Sequence, residues 1–490
     1  MLIDHAGAVI ASRTSEHQPF ASPETGWAEQ DPHDWWRATC EAVRGLLKES
    51  ATPPSEIAAV GFSGQMHGAV LLDSAGAVLR PALIWCDQRT ADEAAELTAQ
   101  IGESQIIGWT CNPALTNFTL TKLLWVRKHE PQLFARFRTL LLPKDYVRYR
   151  LSGQYGMDMA DASGTLLLDV AHRRWSSEMA SATGLDLSSL PPLFESPEVC
   201  ATVSRSGAEA TGLLEGTPMV AGAGDQAAGA VGMGIVVPGA VHATIGTSGV
   251  VFAATDRPAL DPKGRLHTFC HAVPGRWHIM GVTQSAGLSL RWFRDNFGAS
   301  ADDGRDPYER ICEEAAAVPP GCDGVLWAPY LMGERTPHLD PQARAALVGL
   351  AASHGRGHIA RAILEGVAFS LRDSFSIFRE MNVPVTSIRL GGGGARSPLW
   401  RQIQADVYGH SVEVLQAEEG AAYGAALLAG VGAKVWSSVD EACQRSVRVA
   451  QEITPDPAST YVMDQQYEMF RRVYPALREI RLNSSTSART

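Results

Sequence analysis

No Cys-x-x-Cys pair occurs in the chain. Its eight cysteines are scattered, and the closest two, Cys312 and Cys322, stand ten positions apart. That spacing argues against a structural zinc site and against a disulfide framework, and it fits reduced thiols. Basic charge is also scarce: 42 Lys and Arg face 53 Asp and Glu, giving a formal net charge of -11. Nucleic acid as the main partner is set aside, because binding phosphates needs clustered cations. Long apolar runs are missing as well. The uncharged stretch Gln226 to Val241 holds three glycines before Pro238, and it falls short of the roughly 20 apolar residues a bilayer span requires. The first residues do not form the basic-then-apolar pattern of a secretory signal. A soluble, cytoplasmic protein is expected, with no metal-ligand motif.

At 490 residues the chain is long enough for two domains. Leu2-Ile3 and Ala8 to Ser12 read as strands joined by the turn Asp4-His5-Ala6-Gly7. Asp31 followed by Pro32 predicts a capped helix start, with Trp35 and Trp36 on its packing face. Ile57 to Phe62 reads as a short buried strand leading into Gly64-Gln65-Met66-His67-Gly68. A second set opens at Pro238: strand Val241 to Ile245, turn Gly246-Thr247-Ser248-Gly249, and returning strand Val250 to Ala254. Ile359, Ile363, Val367, Leu371, Phe375 and Phe378 recur near helical spacing and predict a helix over about 356–381. Ser387 to Leu390 reads as a strand running into four glycines, 391 to 394, followed by a helix from Pro398 to Tyr408. The expectation is two α/β domains, 1–237 and 238–482, then a disordered tail over 483–490.

Within Pro218 to Gly234 a single charge, Asp225, stands among Ala and Gly. A carboxylate between a strand end and a helix start can be an N-cap. It can equally be the base that accepts a hydroxyl proton in phosphoryl transfer, with small neighbours leaving room for substrate. The Gly246–Gly249 turn suits nucleotide phosphates, because glycines admit close backbone approach and successive N–H groups form an anion-binding concavity; an ordinary hairpin turn is the alternative. Four consecutive glycines suggest a surface that something flat, such as adenosine, must approach; a flexible loop would look the same. Glu418 to Ala426 reads as a helix stripped of bulk, for packing or for ligand access. His67 is either a structural histidine or a polyol ligand, and Asp87-Gln88-Arg89 either a sugar-facing cluster or a surface pairing.

Further segments sharpen the reading: Trp27-Ala28-Glu29-Gln30-Asp31-Pro32 with Trp35-Trp36, Ile84-Trp85-Cys86-Asp87-Gln88-Arg89, Phe118 to Trp125, Leu142-Pro143-Lys144-Asp145-Tyr146, and Gly333 to His338. With the Met66-His67 and Asp225 segments they resemble the FGGY carbohydrate kinase family over nearly the whole chain. The likeness is strongest to members acting on D-xylulose. It implies a two-domain, actin/hexokinase-like (ribonuclease H-like) ATPase fold with an interdomain cleft, using ATP and Mg2+ to phosphorylate a sugar. Asp225 would be the general base; Met66, His67, Asp225 and Gln226 would contact the sugar. Gly246 and Thr247 would hold ATP phosphates, and Gly392, Gly393 and Gly394 would flank the adenosine. Gln226 replaces the Asn of many relatives and keeps the amide. Family members open with a strand and an Asp-x-Gly-Thr-Ser loop, expected to be missing here. The implied alternatives are a catalytically impaired sugar-binding or regulatory protein and a kinase for a related ketopentose. A homodimer is left open.

Overall fold

The computed structural model describes residues 1–298, 304–416 and 420–487, with side chains through 481. The chain forms two compact units. The first comprises Met1–Val237, Ala254–His278 and Glu418–Val447; the second comprises Pro238–Ala253, Ile279–Ala417 and Arg448–Thr490. One boundary falls between Val237 and Pro238, and the two units alternate along the sequence. Residues 254–278 and 418–447, expected in the second domain, belong with the first. For 418–447 the physical reason is the helix Gly420–Gly432, which packs on the helix Asp225–Gly232. A Cβ at Gly424 would overlap the Ala228 carbonyl oxygen, and one at Gly232 would overlap the Gly420 carbonyl. Only backbone can come that close, so Ala223, Ala227, Ala228, Val231, Tyr423, Leu427 and Leu428 share one core. The small residues of both segments thus serve helix packing; Glu418 and Glu419 lie outside the described residues.

In the first unit the helix Pro32–Ser50 starts as the sequence implies. Asp31 accepts the His33 N–H at 2.9 Å, and Pro32 occupies the first turn, where its missing N–H costs nothing. Strands here are short and mostly pair in twos. Leu2–Ile3 pairs with Val9–Ala11, and Val70–Leu72 with Thr139–Leu141. The continuous buried strand expected over Ile57–Phe62 is absent. Val60 makes one parallel bridge to Met219, most of the stretch is only half-buried, and regular pairing begins at Ser63. Pro53 and Pro54 shape the approach into a 3-10 turn, which leaves little length for a ladder.

In the second unit the strands Gly249–Thr255, Ala240–Ile245, Ser387–Gly392, Val412–Leu415 and Val449–Ile453 lie side by side in that order. The outer two pairings are antiparallel and the inner two parallel. The helix Arg356–Glu380 buries Ile363, Val367, Leu371, Phe375 and Phe378, the stripe its periodicity implied. The last helix runs Pro457–Ser487. Helical backbone therefore continues into the stretch expected to be a disordered tail, and residues 488–490 lie outside the described residues.

Candidate active site

In the first unit Ser63–Gly64 and Ala223–Gly224 form a parallel pair, Ser63 opposite Ala223 and Gly64 opposite Gly224. Their carboxyl ends deliver Gln65-Met66-His67 and Asp225-Gln226 to one edge, the end of parallel strands where α/β folds bind ligands. The approach is close. A Cβ at Gly224 would stand 2.7 Å from Met66 Cγ, so the Met66 side chain lies on the backbone just before Asp225. Gly222 is tight too, at φ 78° with the Phe62 carbonyl oxygen where a Cβ would be; Gly229 has nothing within 4 Å. Backbone packing thus accounts for Gly222 and the Met66 side chain for Gly224, while Gly229 is explained by neither.

Asp225 opens the helix Asp225–Gly232, and the capping position belongs to Gly224. Its carboxylate accepts the Gln226 N–H at 2.9 Å. Part of the residue stays accessible, yet the protein mass around it disfavours the charged form. Burial pushes the carboxyl up to about 6, partly offset by the Gln226 bond. Such a group is ionised at neutral pH and basic enough to accept a proton.

His67 is 8% exposed. Its Nδ1 lies 2.7 Å from the Gly164 carbonyl oxygen; a carbonyl only accepts, so Nδ1 carries the proton and Nε2 is the acceptor in the neutral ring. Phe118 packs edge-on at 5.2 Å. The residue has φ 67°, the left-handed region that side chains disfavour. The other two residues named from sequence, Met66 and Gln226, flank the same strand ends.

Beneath those ends lies an ionic cluster whose role the sequence did not reveal. Lys144 Nζ stands 2.7 Å from Asp145, 2.6 Å from Asp158 and 3.2 Å from Asp161, and Arg148 stands 3.2 Å from Asp145. All five are essentially buried. Burial raises the Asp158 and Asp161 carboxyls, Asp161 well above the usual range, despite Lys144. A Cβ at Gly64 would stand 3.0 Å from Lys144 Cβ, and one at Gly224 would stand 3.1 Å from Asp161 Oδ1. Both strand-end glycines therefore rest on this cluster. Asp87 and Arg89 are not a surface pair: they are 0% and 1% exposed by side chain, joined at 2.8 Å, with Arg89 also on Glu29 at 2.8 Å. The Arg89 guanidinium lies 3.7 Å from the Trp27 ring centroid and 4.9 Å from that of Trp125.

In the second unit Gly246-Thr247 closes the turn after Ala240–Ile245, Ile245 pairing with Gly249. The Gly246 carbonyl accepts from Gly287 N–H at 2.8 Å, and the Thr247 carbonyl from Ala286 and Leu288 N–H, each at 3.1 Å. The turn is thus fastened to the start of the helix Gly287–Phe297. Arg291 Nη2 donates to Thr247 Oγ1 at 3.4 Å, a cation that sequence reading missed. Glu334 accepts from Thr283 Oγ1 at 2.5 Å and from the N–H groups of Gln284 and Arg335 at 2.9 and 2.8 Å; burial pushes it up to about 7. It pins the segment that leads to Ala286.

The glycine run sits beside that turn because Gly391 pairs with Thr244 and Gly392 with Ile245. Gly392 is at φ 72°, and a Cβ there would meet the Ile245 carbonyl oxygen at 2.6 Å. Gly394 would meet Ile245 Cβ at 2.6 Å, whereas Gly393 has 3.7 Å to its nearest neighbour, Ile245 O. The run is neither a flexible loop nor wholly a ligand platform. Two of its glycines are required by the neighbouring strand, and Gly393 has room.

Residues 1–232 match the N-terminal domain model of the FGGY family of carbohydrate kinases, and residues 241–433 the C-terminal one. The chain is 38% identical to the xylulose kinase of Bacillus subtilis over 480 residues, covering 98% of this chain and 95% of that protein. It is 39% identical to the xylulose kinase of Escherichia coli, covering 97% and 96%. A gluconokinase of Bacillus subtilis is 31% identical, covering 86% and 82%. The crystal structure titled xyloylose kinase from Brucella ovis superposes with a TM-score of 0.91 at 37% identity, covering 98% and 96% of the two chains. Both halves of the family pattern are therefore present in order, and the chain belongs to the FGGY family of carbohydrate kinases, enzymes that carry a phosphoryl group from ATP to a sugar.

Proposed function

We propose that the chain transfers the γ-phosphoryl group of ATP to the terminal hydroxyl of D-xylulose, giving D-xylulose 5-phosphate and ADP. The observation that carries this reading is the parallel strand pair that sets Met66-His67 and Asp225-Gln226 at one edge. Asp225, ionised at neutral pH, takes the proton of the attacking hydroxyl. The hydroxyl oxygen then bonds the γ-phosphorus as the bond to the β-bridging oxygen breaks, and ADP leaves. Met66 presents an apolar wall beside Asp225, while Gln226 and the His67 ring offer polar contacts to sugar hydroxyls. In the second unit Gly246 and Thr247, with the Arg291 guanidinium beside the Thr247 hydroxyl, suit phosphate oxygens, and Gly393 has the space for a nucleotide to approach.

Magnesium would enter with the nucleotide. Such an ion would be held mainly by phosphates and water, which leaves the Asp225 carboxylate to act as the base. Bound there, the ion would neutralise phosphate charge. The choice of D-xylulose rests on the Gln65-Met66-His67 and Asp225-Gln226 segments and on relatives named for that sugar, although one relative is named for gluconate. ADP release over a panel of ketopentoses and gluconate tests it. The highest kcat/KM is expected with D-xylulose, and a clear preference for another sugar would refute the assignment.

A further inference from the structure

Lys122 is 0% exposed, and its ammonium spends itself on main chain: Nζ donates to the His67 carbonyl at 2.8 Å and to the Asn117 carbonyl at 2.8 Å. Thr119, one helical turn earlier and also fully buried, donates its hydroxyl to the same His67 carbonyl at 3.1 Å. Burying an ammonium is unfavourable, and a Leu or Met would fill the space with less penalty. What the charge obtains is one fixed carbonyl, that of a residue held at φ 67°. A side chain in that region needs its surroundings to hold it. The far side of His67 is held as well, by Nδ1 on Gly164 and by Phe118, the residue just before the helix Thr119–His129.

Charge balance comes from one side. Asp87, fully buried, favours the protonated Lys122 and is itself gripped by Arg89, which stacks on Trp27 and lies near Trp125 of the Lys122 helix. The Trp27, Asp87–Arg89, Thr119–Trp125 and Met66-His67 segments, far apart in sequence, thus converge on one peptide group.

We propose that Lys122, seconded by Thr119, is a positioning residue that fixes the backbone of His67 and through it the sugar-facing imidazole. This rests on the reading of His67 as a sugar contact. The test uses the full-length protein with Lys122→Met, Thr119→Val and His67→Ala, measuring KM for D-xylulose, KM for ATP, kcat, and histidine 15N spectra. Lys122→Met is expected to raise the sugar KM ~10–100-fold, the worth of a charged hydrogen bond, with the ATP KM unchanged and a changed His67 ring signal. Thr119→Val should move the same quantities by a smaller factor. A folded Lys122→Met protein with sugar KM within twofold of wild type and an unchanged His67 signal would overturn the proposal. If that variant does not fold, Thr119→Val decides alone: unchanged sugar KM and ring signal overturn it. His67→Ala separates the two claims. A normal sugar KM there refutes the sugar-contact reading, while a changed His67 signal in Lys122→Met still upholds the positioning role.

Discussion

Asp225→Asn should make the enzyme slower and sturdier at once. Asn keeps the shape and can still accept the Gln226 N–H, but it cannot take a proton. Loss of a positioned general base costs ~10²–10⁴ in kcat, with little change in sugar KM. The stability side follows from ionisation. The Asp225 carboxyl moves from 3.8 in its ordinary state to about 6 in the fold, because burial disfavours its charge. Between those values the native state holds a proton that the unfolded chain has released, so this group's stabilisation is lost as pH rises through about 6. At ~1.4 kcal/mol per tenfold change, the full displacement amounts to ~3 kcal/mol at neutral pH. Partial accessibility reduces that to about 1–3 kcal/mol. Removing the charge should return this amount, raising Tm by roughly 2–6 °C at pH 7.5, with a smaller gain at pH 5. Calorimetry at the two pH values alongside a coupled ADP assay checks both halves. Near wild-type kcat would refute the base, and an equal or lower Tm at pH 7.5 would refute the desolvated carboxylate.

Gly393→Ala should leave Tm unchanged, because its nearest neighbour is 3.7 Å away, while raising the ATP KM if the nucleotide approaches there. Gly394→Ala, facing Ile245 Cβ at 2.6 Å, should lower Tm by several degrees, and the reverse pattern would undo the distinction. Lys122, pulled down to about 7 by burial against an ordinary 10.5, is less protonated in the fold than in the unfolded chain between those values. Stability should therefore rise with pH from about 7 to 10, by at most ~5 kcal/mol. Urea titrations across that range should show a shallower rise in Lys122→Met, and an identical slope would mean that the ammonium is solvated.

Local elements were legible where local chemistry decides them. The Asp31-Pro32 cap, the Ile359–Phe378 stripe and the hairpin around Gly246 each depend on a few neighbouring residues. Interleaving of the units was not, because it depends on Gly424 meeting the Ala228 carbonyl, some two hundred positions away. The same reason hid the role of Lys144 and Lys122. A lysine in an amphipathic segment reads as a solvated charge, and only the fold reveals three carboxylates around one and two carbonyls around the other. Asp225 stood out because it is the single charge in a stretch of Ala and Gly. The smallness of its neighbours has causes that lie far off in sequence: backbone meets Gly222 and Gly232, and the Met66 side chain meets Gly224.

The pH dependence of kcat/KM for the sugar, followed from pH 5 to 8 at saturating ATP, bears most directly on Asp225. A carboxylate that must be ionised and that titrates at about 6 gives a rate falling tenfold per pH unit below that point and level above it. A flat profile down to pH 5, or the same acid limb surviving in Asp225→Asn, would contradict it.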